Sequence, residues 1–200
     1  MLKAFVFLIV LISISVQVQA QAQIGSDLDD NTSLLIIDVQ EFYFPGGAIP
    51  LDNPEAASLN CKRLLNKFRH ENRLIVHIGH NVENGSSFHS DVKPRKGEKV
   101  ILKDDVSAFN GTDLLPYLQE NGIKRLVICG MQTHMCVEAA VRAAYDLGFE
   151  CIVVHDACAT RTLKYADKSI NASDVHVSTL STLDRIYATV LDTDAFLDNY

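Results

Sequence analysis

Short apolar segments alternate with amphipathic segments along most of this chain. Six segments read as strands, over residues 34–37, 73–79, 99–102, 125–129, 151–155 and 185–191. The continuous apolar run at 34–37 suits a strand that is buried on both faces of a parallel sheet. Residues 53–70, 113–120, 135–147 and 164–180 are predicted to be helices, and the polar stretch 80–97 is predicted to be a long loop.

The order of these elements predicts an α/β fold. We expect three layers, αβα, around a Rossmann-like, doubly wound, mostly parallel six-stranded sheet with strand order 3-2-1-4-5-6. Ligands of such sheets bind at the carboxyl ends of the strands, where the strand order reverses. Asp38 ends strand one, Lys103 ends strand three and Cys136 follows strand four. The three side chains should therefore meet at one edge of the sheet.

The first twenty residues have the pattern of a secretory signal peptide. Lys3 provides a positive start, residues 4–16 are apolar, and Val18-Gln19-Ala20 is a permitted cleavage sequence. The apolar run is shorter than the roughly 20 residues that span a bilayer. We therefore predict cleavage after Ala20, a secreted or periplasmic protein without membrane attachment, and one domain over residues 21–200.

The charge balance restricts the class of partner. The formal net charge is −7, and it becomes −8 when Lys3 is removed with the signal peptide. An acidic chain without clusters of Lys and Arg argues against nucleic-acid and anionic-membrane partners. A small-molecule substrate is the expected partner. The cysteine count is five, an odd number without a dense disulfide framework.

Cys136 differs from Cys129, Cys151 and Cys158, which lie in or beside apolar strand-like runs. It would lie in the first turn of a helix, where backbone N–H groups and the helix dipole favour an anion. A nearby Lys103 ammonium would add to this effect, so a thiolate is expected near neutral pH. Asp38 could accept the thiol proton, and the helix start could stabilise an oxyanion. Each residue also has a structural alternative: a capping carboxylate, a solvated lysine, or a packed thiol.

Three ordered motifs add a family resemblance to this argument. They are residues 34–40 (LLIIDVQ), Lys103 followed by Ser107-Ala108-Phe109, and residues 130–137 (GMQTHMCV), with further similarity at 141–148 and 156–160. The chain resembles the isochorismatase-like cysteine hydrolase superfamily over nearly all of the mature sequence. The resemblance implies a catalytic triad of Asp38, Lys103 and Cys136. It also implies a cis peptide between Met131 and Gln132, with an oxyanion hole formed by the N–H groups of Gln132 and Cys136.

The resemblance further implies hydrolysis of a small amide-type C–N bond through a thioester. It also implies a homo-oligomer, a dimer or tetramer. No cofactor and no metal are expected, because the Asp-x-His metal motif of nicotinamidases lacks its aspartate at residues 78–80. Two alternatives stay open: an enol-ether hydrolase of the isochorismatase type, and a non-catalytic secreted binding protein. The candidate substrate-binding residues are Gln40, Phe44, His80 and Phe109.

Overall fold

The computed structural model describes residues 28–200, which form eight strands and five α-helices. The strands are β1 (Thr32–Ile37), β2 (Leu74–His80), β3 (Lys99–Lys103), β4 (Arg125–Met131), β5 (Glu150–Ala159), β6 (Leu163–Tyr165), β7 (Lys168–Ile170) and β8 (Thr189–Leu191). The helices are α1 (Pro54–His70), α2 (Leu114–Glu120), α3 (Glu138–Asp146), α4 (Ala172–Leu183) and α5 (Thr193–Asn199). A π-helical turn, Thr133–Val137, leads directly into α3, and short 3₁₀ turns occupy Glu41–Tyr43 and Ser90–Val92.

Six of the strands form a parallel sheet in the order β3-β2-β1-β4-β5-β8. This order confirms the predicted doubly wound sheet, because β8 is the sixth strand of the sheet. All six residues of β1 are buried, as expected for a central strand. Leu34 and Ile36 pack on the face with α1 and α5, whereas Leu35 and Ile37 pack on the face with α2 and α3. The fold is therefore the predicted three-layer sandwich.

The reversal of strand order lies between β1 and β4, where Ile37 is paired with Gly130. Gly130 has a φ of 124°, and a Cβ atom there would lie 2.0 Å from the carbonyl oxygen of Ile37. Only glycine fits such a close approach of two backbones. The end of β4 is thereby drawn against the end of β1, and the residues that follow both strands become neighbours.

The last third of the chain differs from the sequence-based prediction. The helix predicted from residue 164 begins only at Ala172, because β6 and β7 form an antiparallel hairpin before it. The Asn171 side chain caps the helix by accepting a hydrogen bond from the Asp174 N–H, at 2.8 Å. The strand predicted over 185–191 is only Thr189–Leu191, and the terminal helix α5 was not predicted. This helix is fixed by Phe196, which stacks on Phe68 of α1 with ring centroids 6.3 Å apart.

The predicted signal peptide, residues 1–20, lies outside the described residues. Within residues 28–200, no helix has the length and apolar character needed to cross a membrane.

Candidate active site

Asp38, Lys103 and Cys136 meet at the carboxyl edge of the sheet, as the strand-end argument predicts. Asp38 follows β1 with a φ of 50°, Lys103 is the last residue of β3, and Cys136 lies in the π-helical turn. Lys103 Nζ is 2.9 Å from Asp38 Oδ2 and 3.3 Å from Cys136 Sγ. All three residues are at most 2% exposed to solvent. The structure thus places an acid, a cation and a thiol in one buried cluster.

The Lys103 ammonium lies among four electron-rich atoms. Its N–H groups are directed at His80 Nδ1 (2.9 Å), at the carbonyl oxygen of Asp105 (3.1 Å) and at Cys136 Sγ. The fourth neighbour is Asp38 Oδ2, which lies 2.9 Å from Nζ and forms a buried salt bridge with the ammonium. Both carboxylate oxygens of Asp38 are buried without an aligned hydrogen bond from any residue that the structure describes. The charge of Lys103 is consequently the main compensation for the charge of Asp38.

Burial controls the protonation of this cluster. The pKa of Asp38 is raised by desolvation, although the Lys103 charge acts in the opposite direction. Desolvation and the charge of Asp38 raise the pKa of Cys136 to about 12, and Lys103 only partly offsets them. These shifts run against the expectation of a thiolate near neutral pH: they favour the neutral Cys136 thiol, beside a carboxylate whose affinity for protons is increased.

The two candidate oxyanion-hole residues follow β4: Gln132 directly precedes the π-helical turn, and Cys136 lies within it. The peptide between Met131 and Gln132 is cis, which confirms that implication of the resemblance. The Gln132 side chain donates to the Tyr43 hydroxyl and accepts from Arg161 Nε, both at 3.2 Å. Gln132 is thereby fixed between the 3₁₀ turn that ends at Tyr43 and the residues that follow β5, and the sequence alone did not indicate these two partners. Oxyanion binding by the N–H groups of Gln132 and Cys136 stays a prediction.

Gln40 has a different role from the predicted one. Its Nε2 group donates to the carbonyl oxygens of His80 (3.0 Å) and Ser86 (2.6 Å), and its Oε1 accepts from the His80 N–H at 2.7 Å. The side chain is fully buried, and neither amide hydrogen is free for a ligand. The structure therefore contradicts substrate binding by Gln40. The side chain instead fastens the loop after β2 to the end of that strand.

The other three candidate substrate residues separate into two groups. Phe44 is buried and stacks on His89 with ring centroids 3.9 Å apart. The Phe109 ring packs on that of Phe149, the residue just before β5, with ring centroids 6.2 Å apart. Each ring thus has an aromatic partner in the fold, and substrate binding by Phe44 and Phe109 stays a prediction.

His80 contacts the triad directly. Its Nδ1 atom accepts from Lys103 Nζ, lies 3.9 Å from Asp38 Oδ2, and belongs to a side chain that is 26% exposed. The sequence placed His80 near the site but missed its contact with Lys103. The parallel register pairs His80 with Lys103 across β2 and β3, and this pairing was the signal that could have found the contact.

The fold and this buried acid, lysine and cysteine define the class of protein. A profile of the Isochorismatase domain matches residues 32–185, and the chain belongs to the isochorismatase family of hydrolases. The isochorismatase family protein YddQ of Bacillus subtilis is 44% identical over 177 residues, which cover 83% of this chain and 98% of YddQ. A solved structure from Oleispira antarctica, named for an isochorismatase hydrolase, is 38% identical with a TM-score of 0.82. That match covers 87% of this chain and all of the other.

Two more distant relatives carry the name of an activity. A streptothricin hydrolase of Streptomyces noursei is 32% identical over 138 residues, which are 64% of this chain and 54% of that enzyme. A maleamate amidohydrolase of Pseudomonas putida is 32% identical over 106 residues, or 53% of this chain and 45% of that enzyme.

Proposed function

We propose that this protein hydrolyses a small, non-peptide amide-type C–N bond through a thioester on Cys136. The observation that carries the proposal is the contact of one buried ammonium, Lys103 Nζ, with both the Cys136 thiol and the Asp38 carboxylate. In this arrangement the neighbouring carboxylate can act as the base that activates the thiol. The names of the streptothricin hydrolase and the maleamate amidohydrolase support hydrolytic chemistry, the second of an amide.

Thioester formation begins with transfer of the Cys136 proton to Asp38. Burial raises the pKa of Asp38, which makes this carboxylate a stronger base toward the thiol proton than an exposed one would be. Cys136 Sγ attacks the carbonyl carbon while the positive charge of Lys103 stabilises the sulfur. The resulting oxyanion would accept hydrogen bonds from the N–H groups of Gln132 and Cys136. Asp38 returns its proton to the leaving nitrogen, the C–N bond breaks, and an amine or ammonia departs.

Water then releases the acyl group. Asp38, again a carboxylate, takes a proton from the attacking water, and the second tetrahedral intermediate collapses to a carboxylic acid and the Cys136 thiolate. The thiolate recovers its proton from Asp38, so the cycle ends with the groups as they began. The nearly complete burial of Cys136, at 2% exposure, favours a compact substrate over a polypeptide main chain.

A second candidate, hydrolysis of an enol ether of the isochorismatase type, is favoured by the raised pKa of Asp38. A carboxyl group with increased proton affinity can act as a general acid toward an enol ether, and Cys136 would then be a bystander.

The experiment is a panel of small amides, ureides and enol ethers presented to the mature chain, with intact-mass detection of acyl-enzyme. Turnover of an amide with an adduct on wild type, and loss of both in Cys136→Ser, would support the thioester mechanism. Cys151→Ser is the matched control, because Cys151 is a buried thiol distant from the triad on β5. An amide that Cys136→Ala hydrolyses as fast as wild type would overturn the proposal.

A further inference from the structure

The hairpin of β6 and β7, residues 163–170, stands apart from the main sheet. Its two three-residue strands pair only with each other, in a sheet of their own. Within residues 28–200, no hydrogen bond or ion pair joins this segment to the rest of the chain, and none of its side chains belongs to the buried core. An isolated two-stranded hairpin is at best marginally stable in water. The hairpin therefore needs a further surface to support it.

The hairpin has one largely apolar face, and that face is open to solvent. The strand register sets Leu163 opposite Ile170 and Tyr165 opposite Lys168. Side chains alternate between the two faces along each strand, so these four lie on the same face. Tyr165 is 83% exposed and Ile170 is 46% exposed. Exposed apolar side chains that are grouped in this way mark interaction sites, whereas scattered ones carry no such meaning.

The charge of this segment indicates which kind of surface it fits. Residues 161–170 contain three basic residues, Arg161, Lys164 and Lys168, against the single acid Asp167, so their net charge is +2 in a chain of formal charge −7. Complementary potentials favour association, and like charges oppose it. The acidic body of a second copy of this chain is therefore a suitable partner. Contact between the two hairpins themselves is disfavoured, because it would bring lysines of both copies together.

We propose that residues 161–170 form a dimerisation arm, which two copies of this chain exchange reciprocally. The apolar face of each arm lies on the body of the other copy, and the lysines of the arm meet acidic groups around the contact. A stable interface takes about 20–30 residues from each side. The arm and a comparable number of residues beneath the partner's arm come to about 20, the lower end of that range. Reciprocal exchange also gives the two-fold symmetry of most dimers, in which each surface is used twice.

Analytical ultracentrifugation of the mature chain tests the arm through the dissociation constant of the dimer. The double variant Tyr165→Ser/Ile170→Ser should raise this constant about tenfold or more, because a few anchor side chains carry most of the binding free energy. Lys164→Glu/Lys168→Glu should also raise it, and more at low salt than at high salt, because salt screens exposed charges. Ile186→Ser is the matched control and should leave the constant unchanged, since Ile186 is a 64% exposed isoleucine outside the arm.

A mature chain that stays monomeric up to its solubility limit would overturn the proposal, as would a dimer that Tyr165→Ser/Ile170→Ser leaves intact or that Ile186→Ser weakens equally. If the arm variants do not fold, a photo-crosslinking phenylalanine analogue at position 165 decides, in a mixture of isotopically light and heavy chains. Cross-links to the body of the partner support the arm, whereas cross-links confined to one chain or to the partner's arm contradict it. None of these readouts requires turnover, so their result is independent of the substrate panel.

Discussion

Asp38 and Lys103 form a buried ion pair, and removal of either partner alone should lower the free energy of unfolding strongly, because the remaining charge stays buried. In Lys103→Met the Asp38 carboxylate stays buried, with no aligned hydrogen bond from the described residues to replace the ammonium. In Asp38→Asn the lysine loses its ionic partner but keeps His80 and Asp105. The double variant removes both charges. We therefore expect the two single substitutions to be strongly coupled.

The structure allows the size of this coupling to be worked out. At 2.9 Å and an effective dielectric constant of about 20, the attraction is 332/(20 × 2.9), or about 6 kcal/mol before desolvation. Breaking a buried pair by removing one partner typically costs about 3–5 kcal/mol. We expect Lys103→Met to lower the free energy of unfolding by about 3 kcal/mol. The double variant should be more stable than the sum of the singles by about 2 kcal/mol.

Urea unfolding of the four proteins at pH 7, with EDTA present, measures this coupling through a double-mutant cycle. The control cycle uses Arg142 and Glu138, a surface pair at 2.8 Å on one helix, for which we expect about 0.3–0.5 kcal/mol. Additivity within about 0.5 kcal/mol at Asp38 and Lys103 would refute the argument that each charge depends on the other.

Four further predictions concern other parts of the molecule. Partial burial alone would raise the pKa of Glu98, but hydrogen bonds from Arg69 and other donors hold it at about 2. Its depressed pKa stabilises the fold above pH 4.5, and this contribution is lost as pH falls toward 2. Glu98→Gln should therefore lower the free energy of unfolding, measured with urea, by about 1–2 kcal/mol at pH 6 and by less at pH 3. An equal decrease at both pH values would contradict the stabilising role of the ionised Glu98. His80→Ala should lower kcat about tenfold on any amide substrate, and His80→Asn should lower it less, because an Asn oxygen can still accept from Lys103; identical kcat values would argue against that role. The mature chain should be a homodimer or tetramer, and light scattering at micromolar concentration that gives a monomer mass would disprove it. Export should remove residues through Ala20, and an intact mass that retains them would exclude the predicted cleavage.

Both the chemistry of the site and the sheet that carries it follow from local sequence patterns. The short apolar run that ends at Asp38 indicates a buried strand, because it is too short for a typical buried helix. Parallel strands place their carboxyl ends at one edge, so Asp38, Lys103 and Cys136 had to approach one another once the strand order was inferred. The motifs that contain these three residues also indicated the isochorismatase-like superfamily.

Other features depend on residues that are distant in the sequence, and only the tertiary structure decided them. The hairpin β6–β7 and the helix α5 are too short for a periodic pattern to define, and α5 is held by packing of Phe196 on Phe68. Gln40 became an anchor because residues 80 and 86 present backbone groups to it. The pKa of Cys136 is raised because packing excludes water from the thiol, and this desolvation outweighs the nearby ammonium that the sequence had indicated.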